Sequence, residues 1–456
     1  SSSRGYCKGE KQSRRSNEQK RGGFTTLATF EEIIGQQLEE MASSGIKPGL
    51  SRIEALLREM GQPEKGLKTV HIAGTNGKGS TAFMLSAVLS QAGYRVGRFI
   101  SPHIHSYRER FTINDTFIEE EEFLSYLAQV QKHIKNLSER PTEFEILTAI
   151  ALEYFRDKQV DLAILEVGMG GIYDSTNVIE PVVSVITGID YDHTQYLGTS
   201  LEEIARNKAG IIKKKVPLVM GPVNLPAWQV IAARARELDS PLYPSSLAEV
   251  TREAQPSLEG QLLKLAFSGQ VIDKVFLPSP AYYQLENLAV AFTALQVLKM
   301  AGFSWTEGDM KAALAKLRIP GRMEIVRINP PFILDAAHNP QAASVLASSL
   351  DDILPGKKKI LVLGVLDDKD AQNILKPLGH NTRALVLSRP EGGRSKNWKR
   401  LKEDGLSLFP GADSYMEEDI IEAIKVGESL LKLGDYLLIT GSFYLLDKAR
   451  KYLTSV

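Results

Sequence analysis

The residues best suited to chemistry lie in one short segment, His71-Ile72-Ala73-Gly74-Thr75-Asn76-Gly77-Lys78-Gly79-Ser80. An apolar run breaks into closely spaced glycines, and a helix is expected to begin near Ser80. That order aims successive backbone N–H groups and a helix N-terminus at one anion, and Lys78 adds a mobile positive charge suited to terminal phosphates. The strict Walker spacing fails, because Gly79 follows Lys78 and the first glycine stands too close. A structural glycine turn is therefore the competing reading. Downstream, Asp161-Leu-Ala-Ile-Leu-Glu166-Val-Gly168 reads as a buried strand ending in a carboxylate, a hard oxygen ligand of the kind magnesium takes. His193, in Gly188-Ile-Asp-Tyr-Asp192-His193, follows the next strand. Singly, Glu166 reads as a structural strand end, His193 as a loop histidine and Asp192 as a helix cap. Together, at successive strand ends beside a phosphate loop, they make a candidate Mg–ATP site.

The elements that must position these residues are legible in the apolar periodicity. Helices are expected around Phe30–Met41, Ser51–Met60, Glu119–Leu137 and Glu143–Phe155, and buried strands at Lys68–Ala73, Arg95–Ile100, Asp161–Val167 and Val182–Ile186. This alternation predicts a parallel α/β sheet. Short alternating runs at Leu262–Phe267 and Val271–Leu277 suggest a small antiparallel excursion. Helices near Asn287–Met300 and Glu307–Leu317 lead into Arg318-Ile-Pro-Gly-Arg322, whose proline and glycine suit an interdomain turn. Beyond it, strands at Phe332–Asp335, Lys359–Leu366, Arg383–Ser388 and Tyr436–Thr440 predict a second, smaller α/β unit. The expected division is a basic disordered tail at 1–25, a nucleotide-binding unit at 26–317 and a closing unit at 318–456.

Composition narrows the partners. The 456 residues balance 55 basic against 55 acidic side chains, so no chain-wide field draws the protein to nucleic acid or to an anionic membrane. That neutrality hides an asymmetry. The first 23 residues hold seven Lys/Arg and two Glu without an apolar stretch, which reads as a solvated tail rather than a signal peptide. The remainder is mildly acidic. The longest apolar runs fall far short of a membrane span, and the single cysteine, Cys7, supports neither a disulfide nor a cysteine-based zinc site. A cytoplasmic protein is expected.

Gly74-Thr-Asn-Gly-Lys-Gly-Ser80, Ser101-Pro102-His103, Glu166-Val-Gly-Met-Gly-Gly171 with Asp174-Ser-Thr-Asn177, Asp192-His193, Asn207-Lys208-Ala-Gly-Ile-Ile212, Arg318-Ile-Pro-Gly-Arg-Met-Glu324, Asp335-Ala-Ala-His-Asn-Pro340 and Thr440-Gly-Ser442 follow one another along the chain. In this order they resemble the folylpolyglutamate synthase/dihydrofolate synthase family, a branch of the Mur ligases, from about Thr26 to the C-terminus. The resemblance implies an α/β protein with an N-terminal P-loop ATPase domain and a smaller Rossmann-like C-terminal domain, joining L-glutamate to dihydropteroate or a reduced folate at the expense of ATP. It implies that Gly74, Thr75, Asn76, Gly77, Lys78, Gly79 and Ser80 hold the phosphates, with Asn287, Arg322 and Asp335 toward the nucleotide. It also implies that Ser101, Glu166 and His193 hold two Mg2+ ions, and that His338 acts from the C-terminal side. Lys208 matches a lysine that the family carbamylates; unmodified, it would salt-bridge a helix. Arg110, in Ser106-Tyr-Arg-Glu-Arg110, is placed with Asp174 on the substrate side, Arg110 meeting either an anionic tail or the carboxylates of Glu109 and Glu119–Glu122. A monomer is expected by family habit. Ile172 departs from the family's arginine, a feature that favours the alternative of a related Mur-type ligase with a non-folate acceptor. Retention of Lys78, Glu166, His193 and Lys208 argues against a non-catalytic nucleotide-binding module, and the loop lacks the glycine spacing of a nicotinamide dehydrogenase.

Overall fold

A computed structural model describes residues 29–454, so the expected basic tail lies outside the described residues. The first sheet takes Thr69–Ala73 (β1), Val96–Phe99 (β2), Phe111–Ile113 (β3), Thr116–Phe117 (β4), Leu162–Glu166 (β5), Val183–Ile186 (β6), Leu218–Met220 (β7) and Leu242–Pro244 (β8). Their spatial order is β4-β3-β2-β5-β1-β6-β7-β8. From β2 to β8 all pairings are parallel, and the β3–β4 hairpin is added antiparallel at one edge. Central β1 and β5 are buried at every residue, which is why they read in sequence as mostly apolar runs rather than alternating ones. Val70, Ile72 and Ile164 pack under the helices Lys78–Gln91 and Tyr283–Met300, whereas Ala163 and Leu165 face the helix Glu143–Asp157 on the opposite side.

Ala248–Arg252 (β9), Gln261–Phe267 (β10) and Gln270–Leu277 (β11) form the antiparallel excursion, with β10 central. Its inner residues Leu263, Leu265, Ile272 and Val275 join the core under the helix Tyr283–Met300. The second large sheet comprises Glu324–Ile328 (β12), Pro331–Asp335 (β13), Lys359–Leu363 (β14), Thr382–Leu387 (β15), Asp413–Met416 (β16) and Tyr436–Thr440 (β17), in the order β12-β13-β17-β14-β15-β16. All but β12 run parallel. Among the described residues no helix is long and apolar enough to cross a membrane.

The order β2-β5-β1-β6 decides where chemistry can happen. Four adjacent parallel strands deliver Ser101, Glu166, the Gly74–Lys78 loop and the Thr187–His193 segment side by side at their carboxyl ends, where open α/β sheets bind ligands.

Candidate active site

The helix after β1 starts at Lys78, two residues before its expected start, because Gly77 already occupies the N-cap in the left-handed region (φ +85°). A Cβ there would collide with the Asn287 carboxamide, and one on Gly74 (φ +150°) with the Thr187 hydroxyl, so both positions demand glycine. No side chain caps this helix, which leaves its first N–H groups for an external anion. The loop is braced from the neighbouring strand end. Thr187 donates to the Asn76 carbonyl at 2.6 Å, and Thr75 exchanges hydrogen bonds with the backbone of Asp190 at 2.9 and 3.0 Å. Lys78 folds back onto the Gly74 and Thr75 carbonyls (3.1 and 3.3 Å) and stands 3.9 Å from Glu166.

Glu166 is buried, and its other oxygen accepts from the Ser101 N–H at 3.3 Å. Burial raises its pKa against the opposing pull of Lys78. Among the described residues no three His, Cys, Asp or Glu side chains converge as a closed metal cage. One carboxylate beside a serine and a phosphate loop nevertheless fits magnesium, which binds through one or two carboxylates, waters and substrate phosphates. His193 adopts a left-handed backbone (φ 49°) and is itself the N-cap of the short helix that follows, so Asp192 is not a helix cap. Burial lowers the pKa of His193 to about 4, leaving a neutral imidazole that can act as a ligand.

Lys208, at the end of the helix Leu201–Lys208, donates to the Gly74 carbonyl at 3.0 Å. It is buried and, among the described residues, salt-bridges no carboxylate. Burial, reinforced by the nearby Lys78 charge, lowers its pKa to about 7. Asn287 donates its amide to the Gln284 oxygen at 2.9 Å, and Gln284 in turn donates to the Ser80 hydroxyl at 3.3 Å.

From the C-terminal side, His338 carries a pKa of about 4, lowered chiefly by burial. Its Nδ1 pairs with the Ala336 carbonyl at 2.8 Å, so Nε2 is the nitrogen left to act as a base. Arg322 lies 4.9 Å over the Phe443 ring. Asp335 is differently placed from a free nucleotide ligand. Its oxygens already accept from Tyr283 (2.9 Å), Met323 N (2.8 Å) and Ala337 N (2.8 Å), which ties the domain junction to the helix carrying Asn287. Tyr283 escaped the sequence reading because that helix begins four residues earlier than Asn287, where it was expected to start.

Two cavities meet at this centre. One, of about 900 Å³, is lined by Ser101, Arg110, Phe144, Tyr173, His193 and His338. The other, of about 670 Å³, touches Ser101, Glu166, Arg322 and Phe443. Arg110 pairs with none of the carboxylates expected for it. Glu109 is occupied by the Ile104, His105 and Ser106 N–H groups, and it is Arg108 that reaches Glu119 at 3.2 Å. Arg110 instead donates to Nδ1 of His103 at 2.9 Å. Asp174 lines the same cavity, but its oxygens are engaged by Met169 N (2.9 Å) and by the N–H and hydroxyl of Thr176 (3.0 and 2.5 Å), so it shapes the wall. Ile172 packs toward Gly210, and Tyr173 is the neighbour that faces the cavity.

A phosphate loop on one parallel sheet, faced across a cleft by a second α/β sheet, defines an ATP-dependent ligase of the Mur class. The sequence matches the Mur ligase middle domain over residues 72–295 and the Mur ligase glutamate ligase domain over 321–443. It is 34% identical to the dihydrofolate synthase/folylpolyglutamate synthase of Bacillus subtilis, covering 90% of this chain and 96% of that one. Mycobacterium tuberculosis folylpolyglutamate synthase, solved with ADP and AMPPCP, superposes with a TM-score of 0.86 at 32% identity, over 93% of this chain and 98% of that one. Escherichia coli FolC in complex with DHPP and ADP gives 0.83 at 28% identity, over 94% and 98%. The chain belongs to the folylpolyglutamate synthase/dihydrofolate synthase family.

Proposed function

We propose that this chain joins L-glutamate to the carboxylate of dihydropteroate or of a reduced folate, consuming ATP through an acyl phosphate. The observation that carries the reading is the position of Glu166, 3.9 Å from Lys78 and bonded to Ser101, where the two cavities meet. A carboxylate is a poor electrophile, so an acceptor oxygen first attacks the γ-phosphorus and ADP leaves. The glutamate amine then attacks the acyl carbon, and the tetrahedral adduct expels phosphate as the amine proton is lost. Lys78 and the loop amides offset the charge of two anions brought together. Arg110 receives an anionic end of one of the two acids being joined, and neutral His338 takes up the amine proton through Nε2. Glu166, the Ser101 hydroxyl and His193 are the residues that would hold Mg2+, which supplies charge neutralisation at the phosphates. A neutral Lys208 amine can add to carbon dioxide, releasing a proton and becoming a carbamate.

Residues 26–317 form the nucleotide-binding unit in this reading and 318–456 the unit that closes over it, excluding water from the acyl phosphate. One chain supplies both walls, so a monomer in the cytoplasm suffices. Similarity to dihydrofolate and folylpolyglutamate synthases supports a folate-type acceptor over the non-folate alternative that Ile172 raised. The test is phosphate release from Mg–ATP and L-glutamate with dihydropteroate or tetrahydrofolate, the product weighed by mass spectrometry. One glutamate added to either acceptor is expected; ATP binding with neither acceptor modified overturns the folate assignment.

A further inference from the structure

The phosphate loop is held from both domains. Asn76, at its tip, donates to Gln341 at 2.5 Å and to Asn339 at 3.3 Å, and Asn339 donates back to the Asn76 oxygen at 3.0 Å. Asn339 is a rigid partner. It is buried, caps the helix Pro340–Ile353, and fixes its oxygen on Ala342 N at 2.8 Å. Its amide also reaches Asp192 at 3.2 Å, and the other oxygen of Asp192 accepts from Lys369 at 2.8 Å. Lys369 and Asp192 are only 10% and 11% exposed. Lys369 stands on the turn after β14, whose backbone is clamped by Arg400. Three residues of one domain thus grip two of the other, and both gripped segments, the loop tip and the residue before His193, belong to the phosphate site.

We propose that these contacts are a latch through which the C-terminal domain closes on the phosphate loop and sets its conformation, with Lys369, Asn339 and Gln341 as positioning residues. The inference rests on the ligase reading for its chemical consequence, since a latched cleft shields the acyl phosphate from hydrolysis. Its geometric content is independent of the acceptor. A partly buried ion pair that loses one partner leaves an uncompensated charge, so removing Lys369 shifts the balance toward an open cleft.

The test uses the full chain with Lys369→Met, Lys369→Arg and Gln341→Ala. Without ligands, small-angle X-ray scattering is expected to show a larger radius of gyration for Lys369→Met than for the parent, restored by Lys369→Arg. During turnover, ATP hydrolysed per amide formed rises several-fold in Lys369→Met and less in Gln341→Ala, while Lys369→Arg stays near the parent. Unchanged scattering in Lys369→Met, or an open form with an unchanged ATP-to-amide ratio, overturns the latch. Scattering needs no acceptor, so a failed folate assignment leaves that half of the test intact; normal product formation with unchanged scattering sinks the latch alone.

Discussion

The Lys208 ammonium is bonded to the carbonyl of Gly74, the first glycine of the phosphate loop, at 3.0 Å, and the contact is buried. Burial and the Lys78 charge hold its folded-state pKa near 7, below the unfolded value of 10.5. Between these values the unfolded chain binds more protons, so stability from this group rises with pH. Below about 7 both states are protonated and the full burial penalty applies. The stability gap between Lys208→Met and the parent, measured by denaturant unfolding without carbon dioxide, is therefore expected to be most in favour of the variant below pH 7 and to narrow as pH rises toward 10.5. A gap that is flat across this window refutes the assignment. With ¹³C-bicarbonate present, a carbamate carbonyl resonance is expected in the parent and absent from Lys208→Met.

Glu166 is the carboxylate nearest Lys78, so Glu166→Gln keeps its shape and removes its charge. If it holds the cation, ligation falls by about 10²–10³-fold, the scale seen when one aimed charge-stabilising group is lost. ADP binding measured without Mg2+ is retained. Equal loss of metal-free nucleotide binding would make Glu166 a structural residue of the loop.

Much of this site was legible because phosphate chemistry is concentrated in contiguous segments. Strands β1, β5 and β6 were placed within a residue or so, since buried parallel strands read as short runs dominated by apolar and β-branched residues. The edges were not. Thr116–Phe117 is exposed at both residues and Asp413–Met416 carries no continuous apolar signal, so neither stood out from loop sequence. Lys369 was missed for a different reason. In Asp367-Asp-Lys-Asp370 it reads as part of a solvated charge run, and only the approach of the two domains buries it against Asp192. Arg110 shows the same limit, because sequence proximity to Glu109 did not reveal that three backbone N–H groups already occupy that carboxylate.

Arg52 and Glu145 form a buried pair, with contacts of 3.0 and 3.2 Å, that ties the helix Ser51–Glu59 to the capping box of the helix Glu143–Asp157. Arg52→Met strands a buried carboxylate that also caps a helix. A loss of about 3–5 kcal/mol in unfolding free energy is expected, read from the denaturant midpoint at unchanged m-value. A loss under about 1 kcal/mol, the range of exposed pairs, would show the pair to be solvated.

Arg110 is half-buried at the wall of the larger cavity, with the ring of His103 rather than a carboxylate as its hydrogen-bonding partner. Burial, followed by the Arg110 charge itself, lowers His103 to about 3, so the ring is neutral at physiological pH and can accept from Nε. The rest of the guanidinium is then available to an anionic substrate. A charge-assisted hydrogen bond contributes roughly 1.5–3 kcal/mol, so Arg110→Met is expected to raise KM for the acceptor or for glutamate by roughly 10–100-fold, while KM for ATP stays near the parent value. Which of the two KM values moves identifies the anion that Arg110 receives. A fall in kcat with both KM values unchanged would instead place its role in the transition state, and parallel losses for all three substrates would reduce it to a packing residue. Because His103 is already neutral, the KM effect should not change between about pH 6 and 8; a KM that follows a titration in that range would mean that His103 carries a proton and that the Arg110 contact is not the one described.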